Sequence, residues 1–177
     1  MRYPAKQRWA SAADLLALPP RQAVTPDDLA ARAAIGELYA RYGIAHDEID
    51  LAAMGDVFTE GGVLEVSIGG PVFERHTGRA AIVNNFARVT ATQSDQRRHA
   101  ISNVEVTMAG PAQATSRAYG LVSAANGETL NLVVSCAYTA DLIREADGLW
   151  RFARLWIGMD DYAGKAPGTQ EGGAQDA

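Results

Sequence analysis

Asp47 ends a helical stretch in which Gly36, Ala40 and Gly43 share one stripe that is nearly bare of side chain. Small residues at helical spacing let a sheet or a ligand approach the helix closely. A carboxylate at the end of such a stripe can face an apolar cavity, where burial raises its proton affinity and suits it to act as a base. A solvated acid in a turn between two helices is the plainer reading of the same position. His99 follows Arg97 and Arg98 and opens a strand. Alternation puts His99, Ile101 and Asn103 on one face, whereas the later apolar set is Val104, Val106 and Met108. The phase slips by one residue near Asn103, which predicts a β-bulge there and lets His99 face the cavity while the strand end packs normally. Histidine is the side chain whose ordinary pKa suits acid–base work near neutral pH. A strand-end histidine held by a backbone bond is the alternative. Tyr42, five residues before Asp47, lies about 140° from it around an ideal helix. The two converge only if the helix distorts or ends between them; otherwise Tyr42 is a core tyrosine, like Tyr39, Phe152 and Trp156.

Other chemistries find little support. The three histidines, His46, His76 and His99, show no recognised metal-ligand spacing such as two histidines four apart on a helix, so no metal is expected. Ser123, Ser135 and Cys136 lack a nucleophile-elbow context. Gly61-Gly62 and Gly69-Gly70 read as turns, without the glycine spacing of a phosphate-binding loop or a dinucleotide fingerprint.

The elements that must position Asp47 and His99 can be read in order. Thr25-Pro26-Asp27-Asp28 supplies an N-cap hydroxyl, a proline at the first helical position and acids in the first turn, and the helix runs to about Ala45. Ile35, Leu38, Tyr39, Tyr42 and His46 form its apolar stripe. Asp50 caps a short second helix reaching Phe58, which Gly61-Gly62 ends. Short strands are predicted over 63–68 and 72–76, then a helix over 79–89. Long strands follow over 98–108, 113–124, 129–145 and 150–159, separated by Gly110-Pro111 and by the hairpin signals Asn126-Gly127 and Asp147-Gly148. Helices followed by a four-strand antiparallel meander make an α+β plan, with helices on one face of a curved sheet and a pocket in its mouth. Residues 1–24 read as an extension whose apolar patch, 12–18, is suited to dock on the domain or on a neighbouring subunit. The domain spans 25–162, and 163–177, rich in Gly, Ala and polar residues, reads as a flexible tail.

The chain has 177 residues, enough for one domain with its own core and residues to spare at the ends. A formal net charge of −5 without a basic block argues against a nucleic-acid partner. No apolar run reaches membrane-spanning length, and no signal peptide is apparent. Cys136, the single cysteine, excludes an internal disulfide and points to the reducing cytoplasm.

Several segments in order resemble the SnoaL-like/NTF2-like superfamily. They are the helix 31–39 continuing through Tyr42 to Asp47, then Asp50, Phe58-Thr59-Glu60, 78–82, Arg98 to Asn103, Tyr138 to Asp141, and Asp147 to Trp150. The match covers roughly residues 28 to 160. It implies a cone-shaped NTF2-like barrel, mostly antiparallel, and a cofactor-independent enzyme similar to scytalone dehydratase, hexachlorocyclohexane dehydrochlorinase or bile acid 7α-dehydratase. By that resemblance Asp47 and His99 form an acid/base dyad and Tyr42 is a third catalytic group. His46 takes the place of a tyrosine found before the aspartate in scytalone dehydratase. His46, Asn103 and Arg117 fall among the substrate-binding positions, Arg117 and Arg154 being candidates for an arginine used by some members. The implied function is a lyase acting on a hydrophobic or aromatic small molecule, by dehydratase-type elimination or aldehyde-releasing carbon–carbon cleavage. An isomerase or cyclase with the same base is an alternative. So is a non-catalytic ligand-binding module, or the small subunit of a ring-hydroxylating oxygenase. A homo-oligomer follows from the same resemblance, a trimer in preference to a dimer.

Overall fold

A computed structural model describes residues 7–162, with the side chains of 161 and 162 left aside. The main helix, α2 (Pro26–Asp47), begins where local chemistry says it should. Thr25 accepts from the Asp28 backbone N–H at 3.3 Å, and the Asp28 carboxylate accepts from the Thr25 N–H at 3.0 Å, a reciprocal capping box with Pro26 in the first turn. Along α2, Ile35, Leu38, Tyr39, Tyr42, Gly43, Ala45 and Asp47 are all buried. They occupy more than one stripe because the helix lies in the hollow of the sheet. A short α3 (Leu51–Asp56) is capped by Asp50, which accepts from Ala53 N at 2.9 Å. A fourth helix, α4 (Arg79–Thr90), turns Ile82 and Phe86 inward.

Six strands complete the domain: β1 (Phe58–Ile68), β2 (Val72–Thr77), β3 (Gln96–Gly110), β4 (Gln113–Ala125), β5 (Leu130–Arg144) and β6 (Trp150–Tyr162). Their order is β2-β1-β6-β5-β4-β3, with β1 and β6 parallel and every other pair antiparallel. The predicted meander is therefore β3 to β6, and the barrel is a curled, unclosed sheet with β2 and β3 at its edges. One boundary differs. Residues 58–62 were expected to end a helix but open β1, with an irregular register between Phe58 and Val63 against β6. A Cβ on Gly62 would meet Thr59 O at 3.1 Å and Phe152 O at 3.3 Å, so the glycines form a tight bulge inside the strand instead of a terminator.

Side chains alternate between two cores. The inner face packs on the helices through Tyr39, Tyr42, Phe58, Tyr138, Phe152 and Leu155 among others. The outer face carries a smaller cluster in which Ala137 and Trp156 receive Ala10, Trp9, Leu15 and Leu16. The N-terminal segment thus docks on its own domain. Its helix α1 (Trp9–Ala12) sets the Trp9 ring 5.9 Å from that of Trp156, and Trp9 Nε1 donates to Asp160 at 2.7 Å. Thr139 Oγ1 donates to Leu15 O at 3.0 Å. The predicted tail, 163–177, lies outside the described residues. Replacing the cap, Thr25→Ala, should cost about 1 kcal/mol, read as a lower urea midpoint with an unchanged slope.

Candidate active site

The C-terminal end of α2 is built to hold Asp47 in one place. The helix closes with Ile49 N–H donating to His46 O at 3.3 Å and Asp50 N–H donating to Ala45 O at 2.9 Å. That pair of bonds is the Schellman closure, which needs a left-handed residue at the position after the cap. Glycine is the usual occupant, but here it is Ile49, at φ 55°. A β-branched residue there is strained by roughly 1–2 kcal/mol. The strain sits two residues from the candidate carboxylate.

Strand β3 brings the histidine. A Cβ at Gly43 would touch His99 Cβ at 3.4 Å and Ile101 Cδ1 at 3.7 Å, so this member of the bare stripe is where the sheet rests on the helix. Ala40, on the same stripe, is exposed, and Gly36 has nothing near its missing Cβ. Further along β3, Ser102 pairs with Tyr119 and Glu105 with Arg117, one residue more on β3 than on β4. The extra residue is accommodated where Asn103 adopts φ 54°. Asparagine tolerates this conformation better than most residues. The predicted bulge is present: His99 and Ile101 face inward before it, and Val106 and Met108 after it. Val104 is exposed at the bulge itself.

Asp47 and His99 meet directly. His99 Nδ1 lies 2.6 Å from Asp47 Oδ1, and the His99 backbone N–H donates to Oδ2 at 3.0 Å. Both side chains are nearly enclosed, at 8% and 7% exposure. Gln96 Nε2 donates to the Asp47 backbone carbonyl at 3.0 Å, and Arg98 pairs with Glu48 at 2.5 Å, so the helix end is tied to the strand on both sides of the pair. Burial acts to raise the Asp47 pKa. The ring and backbone hydrogen bonds from His99 outweigh it, and the carboxyl sits below its usual range. Asp47 is thus held as an ionised acceptor, with a lowered proton affinity where burial alone was expected to raise it. With Nδ1 engaged, the other ring nitrogen of His99 is the one left for chemistry.

His46 stands beside the pair. Its ring centroid is 4.3 Å from that of His99 and 4.8 Å from that of Phe86. Burial, reinforced by repulsion from His99, lowers its pKa to about 3, so it is neutral. Its Nδ1 is buried with no hydrogen-bond partner among the described residues. Tyr42, one turn earlier, is edge-on to His46 at 6.3 Å, to Tyr138 at 6.2 Å and to Phe152 at 6.1 Å. Burial, then the neighbouring Cys136, Tyr39 and Asp47, push its hydroxyl well above the ordinary range, so it keeps its proton. The helix stays regular to Asp47, and Tyr42 makes no hydrogen bond to it. Tyr42 instead reaches the pair through the ring of His46.

Two predicted substrate positions are not brought to the pair. Arg117 projects from β4 on the side opposite the inward Ser116 and Ala118, and bonds Glu105 at 3.2 Å and Thr115 at 3.1 Å. Asn103 is exposed at the bulge. Arg154 is likewise engaged elsewhere, with Glu65. Conversely, Gln96, Ile49 and the Phe86 wall over His46 had no assigned role in the sequence. No motif marks them, since each acts through a neighbour supplied by another element. A separate groove of about 630 Å³ lies at the other end of α2, between Thr25, Met108, Pro111, Arg144 and Trp150.

The curled sheet around a helix, with an acid and a histidine joined at the helix end, defines an α+β domain carrying a hydrogen-bonded Asp–His pair. Residues 27–155 match the family model of the SnoaL-like domain, and the chain belongs to that family. No curated protein matches the sequence. Among solved structures it is similar to a Catenulispora acidiphila protein in complex with S-DNPA, at 27% identity and TM-score 0.66, covering 75% of this chain and 95% of that one. A Novosphingobium aromaticivorans protein provisionally described as an aromatic ring hydroxylase is 28% identical, at TM-score 0.63, covering 78% and 92%. ActVI-ORFA from Streptomyces coelicolor, at 23% identity and TM-score 0.64, covers 72% and 96% and shares the fold.

Two substitutions test the construction. Ile49→Gly should raise stability by about 1 kcal/mol by relieving the left-handed strain, seen as a higher denaturation midpoint. At Gly120 a Cβ would lie 2.7 Å from the Tyr138 ring and 2.9 Å from Cys136 Sγ. Gly120→Ala should therefore cost about 1–3 kcal/mol through overpacking, measured in the same experiment.

Proposed function

We propose that the protein is a cofactor-independent lyase that eliminates water, or a comparable small leaving group, from a hydrophobic or aromatic small molecule. The observation that carries this reading is the 2.6 Å contact between His99 and Asp47 in a nearly enclosed, aromatic-walled site. His99 acts as the general base. Its free ring nitrogen takes a proton from a carbon beside a carbonyl, while Asp47 holds the imidazole in one tautomer and stabilises the cation that forms. The electron pair of the broken C–H bond becomes the new double bond. The departing hydroxide leaves as water by taking that proton back from the imidazolium, while the Tyr42 hydroxyl donates a hydrogen bond to the leaving oxygen. Tyr42 suits the donor role because burial keeps its hydroxyl protonated. His46, neutral and aromatic, contacts the substrate beside the base. Neither metal nor organic cofactor takes part in this scheme.

Catalysis is favoured over a binding module by the pairing itself, since ligand capture alone does not require an ionised carboxylate to orient a histidine. An isomerase or cyclase would use the same base, and carbon–carbon cleavage releasing an aldehyde would use it on a hydroxyl proton. Product mass separates these: elimination loses water, isomerisation conserves mass, and cleavage gives two carbon fragments. On the outer face, Tyr119, Leu121, Leu130 and Leu132 are half-exposed or more, which supports a homo-oligomer; the preference for a trimer over a dimer rests on the family resemblance. No described helix is long and apolar enough to cross a membrane, and the thiol of Cys136 suits a cytoplasmic setting.

The test is turnover of aromatic β-hydroxy carbonyl compounds, followed by mass spectrometry. His99→Gln and Asp47→Asn should each lower the rate by about 10²- to 10⁴-fold while circular dichroism stays unchanged. Rates equal to the unmodified protein in both variants would sink the mechanism.

A further inference from the structure

His46, Asp47 and His99 form a group that proton transfer alone does not account for. One ligand-type atom from each lies within 4.8 Å of those from the other two. Two of the three are imidazoles, with ring centroids 4.3 Å apart. His46 Nδ1 is buried and unpartnered among the described residues, whereas buried polar atoms in folded proteins are as a rule hydrogen-bonded. His99 Nδ1 sits 2.6 Å from the Asp47 carboxylate. That contact is the one that orients a metal-ligating histidine and leaves its second nitrogen for the ion. Local spacing could not reveal the group, because His99 is 52 residues from Asp47 in sequence. The donor set also limits the ion. Calcium and magnesium want several oxygens, and only one carboxylate is present. Two imidazoles suit zinc and its neighbours in the first transition row.

We propose that His46 and His99, with Asp47 supporting His99 from behind, bind one divalent ion of the zinc type, and that the bound ion switches the site off. Each imidazole donates a lone pair to the ion, and water fills the remaining positions. No electron is transferred and no covalent bond in the protein breaks. Inhibition follows because coordination takes the lone pair of His99 that would otherwise accept the substrate proton. This second half rests on the function proposed above; the binding itself does not.

Titration with zinc chloride, followed by calorimetry, should give one ion per chain for the unmodified protein. His46→Gln should weaken binding at least about tenfold, and His99→Gln should abolish it. His76→Gln should change nothing, since His76 lies on β2 against Glu74. A measurement that needs no variant guards against misfolding: zinc should shift the ring-nitrogen resonances of His46 and His99 together and leave that of His76 in place. Absence of binding, or a shift at His76 alone, would overturn the site. Saturating zinc that leaves turnover intact would overturn the switch while leaving the metal site standing. Binding by a protein that turns over no substrate would count against the lyase alone.

Discussion

The contact between Asp47 and His99 is the constraint on which the rest of the site depends. It joins the last residue of α2 to the edge strand by two hydrogen bonds, one to the ring and one to the backbone. Both acceptor oxygens belong to one carboxylate, so the Asp47 side chain cannot rotate without breaking both bonds. Such a clamp requires the helix to stop at a fixed residue and the strand to arrive at a fixed height. The first requirement is met by the Schellman closure, even with Ile49 in a conformation that suits glycine. The second is met by Gly43, whose missing side chain lets β3 rest on the helix. A strained backbone beside a candidate catalytic group is a common association, because the surrounding structure must hold a geometry the local chain resists.

Electrostatics then sets Asp47 and His46, the two neighbours of His99, in different states. Asp47 is driven below its usual range because donors outweigh its burial. His46, packed beside His99, receives no donor or acceptor at Nδ1 among the described residues, so burial wins and its ring is neutral. The difference is that the Asp47 carboxylate has two donors, both from His99, and His46 Nδ1 has no partner among the described residues. Asp47 bonds the backbone N–H and ring of His99, whereas the His46 ring packs against those of Phe86, Tyr42 and His99. The site therefore holds one fixed negative charge and one neutral imidazole around His99.

Much of this was legible in the sequence, and what was not has a physical reason. The Thr25 cap, the Asp50 cap and the hairpin glycines are local signals, and each was found where it was expected. The slip in strand phase near Asn103 was also visible, because a bulge moves every later side chain to the other face and composition records the change. The Asp47–His99 pairing was not readable from residue types, since each position alone fitted an ordinary structural role; the family resemblance supplied it. Resemblance also placed Arg117 among the substrate groups, but alternation along β4 turns it to the outer face with Glu105. The glycines at 61 and 62 were read as a helix terminator, but Gly62 is needed for the close approach of Thr59 O and Phe152 O. Only the partner strand, β6, distinguishes a bulge from a terminator.

The sheet carries a second core on its outer face, and that core limits how the inner one can be arranged. Trp156 points outward between the inward Leu155 and Ile157, and its indole N–H donates to the buried Ser67 at 3.0 Å. The ring lies where a Cβ on Gly158 would be, 2.1 Å from the nearest ring carbon, so the strand can carry this indole only beside a glycine. Gly120 serves the inner face in the same way, leaving room for Tyr138 and Cys136. Tyr138 in turn meets Tyr42 edge-on. Trp9 and Asp160 then cover the outer indole, so the N-terminal segment packs against the reverse of the sheet that forms the site wall. The aromatic lining and the N-terminal segment are thus coupled through a single sheet, whose glycines set how closely large rings can lie on either side.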